Sequence, residues 1–215
     1  MHSDRVLITG ATGGLGNFLS KYFVEKGHPL IISSKSKDKL QKLKKDLTGI
    51  NGDVEYFNCN LLNEEEVLEL TKISENSNVK VLVNNAAITC PGKKLDELSI
   101  KEIHAMLTIN LIVPILLTKF FGNCLSDIIN INSMVGLENK KYRTLYSASK
   151  WGLRGFSESY KKEIKNLNVL DVYPSNIRTW PDRKNAMDAI SVVSKIYESF
   201  QNKESHLVID GRPKK

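Results

Sequence analysis

Seven short β-rich runs alternate with helical patterns along almost the whole chain. The runs are Arg5–Thr9, Leu30–Ser33, Val54–Cys59, Val79–Asn84, Asp127–Asn132, Val169–Tyr173 and His206–Asp210. Between them the periodicity predicts helices over Gly14–Lys26, Lys37–Leu47, Asn63–Ser74, Ser99–Phe121 (read as two helices), Tyr146–Asn166 and Asn185–Gln201. Strand–helix alternation of this kind specifies an α/β fold, a doubly wound parallel sheet of about seven strands with helices on both faces. Val81-Leu82-Val83 and Ile128-Ile129 are apolar without alternation. That is what a central parallel strand, buried on both sides, requires. Ligands of such sheets bind beyond the C-terminal ends of the strands, so motifs placed there carry the most weight.

The 215 residues suit one domain, and with 41% hydrophobic residues they can fill a core. The most apolar stretch, Ile109–Leu117, is interrupted by Asn110 and Pro114 and falls short of the ~18 residues of a membrane span. The first residues lack the basic start and long apolar segment of a signal peptide. Cys59, Cys90 and Cys124 are far apart and without metal spacing, which reads as reduced thiols in a cytoplasmic protein. The surplus of 31 Lys and Arg over 24 Asp and Glu gives +7. Most of it reads as solvated helix faces, as in the lysine-rich stretch 37–45. No helix-turn-helix pattern or basic-aromatic stripe supports nucleic-acid binding.

The first run leads directly into Thr9-Gly10-Ala11-Thr12-Gly13-Gly14-Leu15-Gly16, which opens the first helix. Glycines allow a tight turn and close approach of backbone to ligand, and a helix N-terminus offers free N–H groups to a pyrophosphate. The string fits Thr-Gly-x3-Gly-x-Gly and Thr-Gly-x2-Gly-x2-Gly equally. Here the chain resembles the short-chain dehydrogenase/reductase superfamily. The first spacing belongs to its shorter single-domain branch, the second to the longer branch of sugar-nucleotide epimerases and dehydratases.

At the end of the second run a dinucleotide site meets the adenosine ribose, where an acid favours NAD and a neutral or basic pair tolerates the extra phosphate of NADP. Ser34 and Lys35 stand there, which favours NADP(H) over NAD(H). Gly13 is a mark against it, because many NADP-preferring relatives carry a basic residue at that position. The resemblance assigns Asn60 and Leu61 to the adenine, with Asn60 replacing a usual Asp. Asn84-Asn85-Ala86-Ala87 is similar to the shorter branch's Asn-Asn-Ala-Gly and implies cofactor contacts at Asn84 and Ala86. Tyr173-Pro174-Ser175-Asn176-Ile177-Arg178-Thr179 resembles the Pro-Gly-x-Val-x-Thr segment and implies nicotinamide contacts at Pro174, Ile177 and Thr179. Ser175 replaces a Gly, and a left-handed backbone there would strain it.

Asn110 lies in an apolar helical stretch four residues before Pro114. Proline has no N–H, so the helical bond to the Asn110 carbonyl cannot form and a kink is expected. Ser133 ends the fifth run, and Tyr146 and Lys150 follow four residues apart on one helix face. Tyr22 and Lys26 share that spacing but lie far from the strand ends. Asn110, Ser133, Tyr146 and Lys150 match the family's catalytic tetrad in order. The resemblance implies a Tyr146 acid/base, a Ser133 donor to the carbonyl oxygen, a Lys150 that lowers the phenol's pKa and binds the ribose, and an Asn110-held water that returns the proton. No His/Cys cluster suggests a metal.

Relatives carry a substrate-covering helical segment after the position of Thr179, and here only a few residues precede the helix expected near Asn185. An open site for a bulky, carrier- or polymer-attached carbonyl substrate is therefore expected. The leading function is an NADP(H)-dependent carbonyl reductase or alcohol dehydrogenase. A sugar-nucleotide ketoreductase or epimerase and a non-catalytic dinucleotide sensor stay open beside it. The resemblance further implies a homodimer or homotetramer formed through the helices around Asn110–Phe121 and Tyr146–Asn166.

Overall fold

The computed structural model describes residues 4–50, 52–90, 92–121, 124–179 and 185–212. Seven parallel strands form one sheet in the order β3-β2-β1-β4-β5-β6-β9. They are β1 (Arg5–Thr9), β2 (Leu30–Ser34), β3 (Val54–Asn58), β4 (Val79–Asn84), β5 (Asp127–Ile131), β6 (Asn168–Pro174) and β9 (His206–Ile209). Each expected run is a strand, with ends moved by at most one residue. The sequence reading missed a two-stranded parallel pair, β7 (Ile177–Arg178) with β8 (Met187–Asp188). Two residues are too few for a periodicity to show.

Alternation of side chains across the pleat divides the core into two layers. Val6 and Ile8 of β1 pack with α1 (Gly14–Glu25), α2 (Lys37–Thr48) and α7 (Ala189–Gln201) through Leu19, Phe23, Leu40, Val192 and Ile196. Leu7 packs on the other face, toward Val67 and Leu70 of α3 (Glu64–Asn76) and Val113, Leu117 and Phe121 of α5 (Val113–Phe121). The remaining long helix, α6, spans Thr144–Glu163. Its face of the sheet carries a buried polar chain: Asn84 Nδ2 donates to Asn130 Oδ1 at 2.8 Å, and Asn130 Nδ2 donates to Ser157 Oγ and to Asp171 Oδ1.

The stretch read as two helices is one helical run. A π-helical turn, Thr108–Ile112, joins α4 (Ile100–Leu107) to α5. Pro114 lacks the N–H that an α-helical pattern would aim at Asn110, and the wider turn absorbs the fault without ending the helix. This corrects a second expectation. Ile100–Phe121 is long and apolar enough to cross a membrane by length and composition, with a mean hydropathy of 1.7 over an 18-residue window of it. Counting only the uninterrupted apolar residues hid this. In the folded chain Met106, Asn110, Val113, Leu117 and Phe121 are buried.

The strand order reverses between β1 and β4, and the chain leaves both strands there. Gly10 has φ +62, and a Cβ on it would lie 2.8 Å from Ala86 Cα. The turn therefore demands glycine twice, for its left-handed backbone and for the approach of Ala86. Gly10→Ala is expected to cost about 2–3 kcal/mol in urea unfolding. Gly155→Ala, at an exposed position of α6 with open space around it, is expected to add up to about 1 kcal/mol. Equal effects of the two substitutions would refute this account of the turn.

Candidate active site

One cavity of about 550 Å³ runs along the C-terminal strand ends, within the range of small-molecule sites. Its wall brings together almost every residue the sequence singled out: Gly10, Thr12, Gly13, Gly14, Leu15 and Gly16 from the first turn, Ser34 and Lys35 from the second, and Asn60 and Leu61 from the third. Ala86, Ser133, Tyr146, Lys150, Pro174, Ile177 and Thr179 complete it. The lysine-rich helix stays outside.

The α1 end of the cavity is built for an anion. Its N-cap, Gly13, makes no side-chain cap, and no acidic residue occupies the first turn. A Cβ on Gly14 would fall inside van der Waals contact of the Thr179 side chain, so the loop and the β6 exit close on each other only because glycine is there. Thr12 Oγ1 shares a 2.6 Å hydrogen bond with Ser34 Oγ, which ties the first turn to the second. Beyond them Lys35 is exposed. The only carboxylate among the described wall residues, Glu138, pairs with Arg212. A side-chain-free cradle at a helix N-terminus, followed by a hydroxyl and a cation, fits a dinucleotide.

Two expected residues stand elsewhere. Asn84 turns its side chain into the buried chain with Asn130, away from the wall. Its neighbour Asn85 takes the place in the wall and donates to the carbonyls of Thr9 and Gly10 at 2.9 and 3.1 Å. Asn110 is likewise buried behind the wall. Its Oδ1 accepts from the Ile88 N–H, and its Nδ2 donates to Ile88 O and Ser149 Oγ, all within 3.1 Å. It clamps the strand exit from both sides. Ser175 does not have the left-handed backbone feared for it. Its N–H donates to Ile209 O and its Oγ accepts from Gly211 N–H at 2.9 Å. The segment expected to be a shortened lid, residues 180–184, lies outside the described residues.

Burial controls the chemistry of the reacting end. The pKa of Tyr146 is raised, first by burial, against which the hydrogen bond from Ser133 and the charge of Arg143 act. The expected depression by Lys150 is not what dominates in the protein alone. Lys150 Nζ lies 5.9 Å from the Tyr146 ring centre and donates to Ile131 O at 2.8 Å. Its own pKa is pulled down from 10.5 to about 8 by burial. Cys59, also in the wall, has its thiol pushed up to about 12, mainly by burial and further by Glu66 and Glu69, and stays a thiol. Arg143, which no sequence motif marked, stands beside Tyr146 in the wall. Only its place three residues before Tyr146 could have drawn notice.

The family model described as short chain dehydrogenase matches residues 4–188. The chain belongs to the short-chain dehydrogenase/reductase family. It is thus an NAD(P)-dependent oxidoreductase acting on CH–OH and C=O groups. A 3-oxoacyl-(acyl-carrier-protein) reductase of Thermotoga maritima is 30% identical to this short-chain dehydrogenase/reductase over 186 residues, 80% of this chain and 74% of that one. A reductase of the same name from Rickettsia conorii is 34% identical over 202 residues, 88% of this chain and 80% of that one. In fold the chain is similar to an alcohol dehydrogenase from Thermococcus sibiricus, solved with 5-hydroxy-NADP. The TM-score is 0.90, with 23% identity and 99% of each chain covered.

A lysine pKa below its ordinary value means that folding opposes protonation of Lys150. The cost is full below pH 8, at roughly 3 kcal/mol, and fades as the pH rises from about 8 to 10.5. Lys150→Met removes that cost but leaves Ile131 O without its donor, about 1 kcal/mol. The variant is expected to be about 1–2 kcal/mol more stable than wild type at pH 7, with the advantage shrinking toward pH 10. Urea unfolding at both pH values checks this, and a variant less stable at pH 7 would refute it.

Proposed function

We propose that this protein is an NADP(H)-dependent carbonyl reductase, and in reverse a secondary-alcohol dehydrogenase, that uses Tyr146 as acid and base. The observation that carries the reading is the convergence of Tyr146, Ser133 and Lys150 on one end of a cavity whose other end offers Ser34 and Lys35. The first turn, Ser34, Lys35, Asn60, Leu61, Ala86, Pro174, Ile177 and Thr179 would hold the dinucleotide, which when bound supplies or accepts the hydride.

The residues divide the remaining work. A carbonyl oxygen that gains negative charge needs a donor poised at that atom. Ser133 and Tyr146 line the same end of the cavity, and Ser133 acts to hold the Tyr146 pKa down, so a substrate oxygen placed there can meet both hydroxyls. The burial that raises the Tyr146 pKa keeps its proton at neutral pH, which suits donation to the oxygen. Lys150, with one bond to Ile131 O, retains N–H donors for a ribose. Asn110 is a positioning residue: it fixes Ile88 and α6 at Ser149, and holding a relay water is the role the family pattern gives it.

The two 3-oxoacyl-(acyl-carrier-protein) reductases act, by their names, on carrier-attached substrates. Only five residues separate Thr179 from Asn185, too few for a long lid, and both facts support a bulky or carrier-attached carbonyl substrate here. The free thiols of Cys59, Cys90 and Cys124 fit a reducing cytoplasm. Exposed Ile112 and Trp151, on the helices expected to pair, suit a homodimer or homotetramer.

Oxidation of NADPH by a panel of ketones and 3-oxoacyl thioesters tests the reading. Tyr146→Phe is expected to lower kcat at least a hundredfold while the Kd for NADPH changes less than threefold. Lys35→Glu is expected to lower the NADPH/NADH ratio of kcat/KM at least tenfold, by setting a carboxylate against the extra phosphate. Turnover indifferent to Tyr146→Phe would overturn the mechanism. An unchanged ratio would overturn the cofactor assignment.

A further inference from the structure

The cavity wall beside Tyr146 carries a cation, Arg143, that no ion pair among the described residues neutralises. Arg143 is the residue from which α6 starts, and its side chain makes no cap to the helix. The residue before it, Tyr142, is held at φ 60, a left-handed conformation that an aromatic residue adopts only under strain. This turn directs Arg143 into the cavity wall. One guanidinium N–H donates to Thr89 Oγ1 at 2.6 Å, and Cζ lies 6.0 Å from the Tyr146 ring centre. Thr89 follows Ile88, which Asn110 clamps by two hydrogen bonds. The guanidinium is thus anchored on a rigid strand exit.

A guanidinium carries five N–H donors in a planar fork matched to carboxylate and phosphate. Among the described residues no carboxylate pairs with Arg143. The other cations of the wall are differently placed. Arg212 is neutralised by Glu138 and Asp210. Lys150 is buried under the tyrosine and bonded to Ile131 O. Lys35 belongs to the distant second turn. Exposed Lys140, from the loop before α6, adds positive charge to the same wall.

We propose that Arg143 is a substrate-specificity residue that binds an anionic group, a carboxylate or a phosphate ester, carried by the carbonyl substrate within a few bonds of its reacting carbon. This rests on the carbonyl-reductase reading and names its substrate class. A charged fork facing a neutral ligand would lose water without gaining an acceptor, whereas an anion satisfies both its charge and its geometry. A site built to bind such a group discriminates strongly against the analogue that lacks it. A merely structural anchor for Thr89 would need one donor and no charge. The same charge acts against the rise in the Tyr146 pKa.

The experiment compares wild type, Arg143→Gln and Arg143→Lys in NADPH oxidation with matched ketones: a keto acid beside its methyl ester, and a phosphorylated ketone beside its free alcohol. Wild type is expected to prefer the anionic member of at least one pair. Arg143→Gln is expected to cut that preference in kcat/KM at least tenfold, chiefly through KM, and Arg143→Lys to keep part of it. The pair that responds identifies the anion. Calorimetric titration with malonate and with inorganic phosphate gives a reading independent of turnover, in which wild type is expected to bind at least one anion at least fivefold tighter than Arg143→Gln. Turnover with the same preference in wild type and Arg143→Gln would overturn the role of Arg143 and leave the carbonyl-reductase reading intact. NADPH oxidation with no ketone at all would overturn that reading instead, and the titration would then decide on Arg143 alone, equal affinities counting against it.

Discussion

The whole site hangs on the contact between the first turn and the exit of β4. There Gly10 lies against Ala86 closely enough that a Cβ would strike its backbone. Thr9 Oγ1 donates to Val83 O and accepts from the N–H groups of Asn85 and Ala86, and Asn85 returns two bonds to Thr9 and Gly10. A parallel sheet leaves a crevice where its strand order reverses, because the connections from neighbouring strands turn to opposite faces. This knot of bonds sets the crevice floor. The anion cradle lies on one side of it, and Thr89, Arg143 and Tyr146 lie on the other.

Burial gives that crevice its chemical character and charges the fold for it. Lys150 and Tyr146 are both shifted toward their neutral forms by loss of water. Inside the sheet, by contrast, charge is compensated. Asp171 and Asp127, both almost fully buried, each meet a lysine, Lys161 and Lys203, within 2.9 Å. The reacting end lacks such partners. Arg143 and Lys150 have no carboxylate partner among the described residues, so the positive charge at that end of the cavity is left without an ion pair. Uncompensated groups in a concave site mark function, because elsewhere they would only destabilise.

Much of this was legible in the sequence. The strands were, since a central parallel strand must be apolar on both faces, and Val81-Leu82-Val83 can satisfy little else. The glycine turn was, since its residues follow a strand and open a helix. Ser133, Tyr146 and Lys150 were, since a strand end and a four-residue helical spacing put them on one crevice. Where the reading failed, the deciding facts were relations between distant segments. Asn84 and Asn85 are adjacent amides, and only the packing of α6 against the sheet turns the first inward and the second to the wall. Pro114 announced a fault but not whether the helix would break or widen. Ser175 escaped strain because Gly211 and Ile209, more than thirty residues on, settle its hydrogen bonds.

The sequence by itself therefore determined the alternation of strands and helices, the glycine turn that opens the first helix, and the placing of Tyr146 and Lys150 on one helix face. Those depend on local periodicity and on which end of an element a residue occupies. The tertiary structure decided the direction in which the Tyr146 and Lys150 pKa values move, the partners of the Asn110 amide, which clamps Ile88, and the place of Arg143 beside Tyr146. Desolvation, hydrogen-bond partners and charge balance arise only when elements remote in the chain are brought into contact, and no spacing along one segment encodes them.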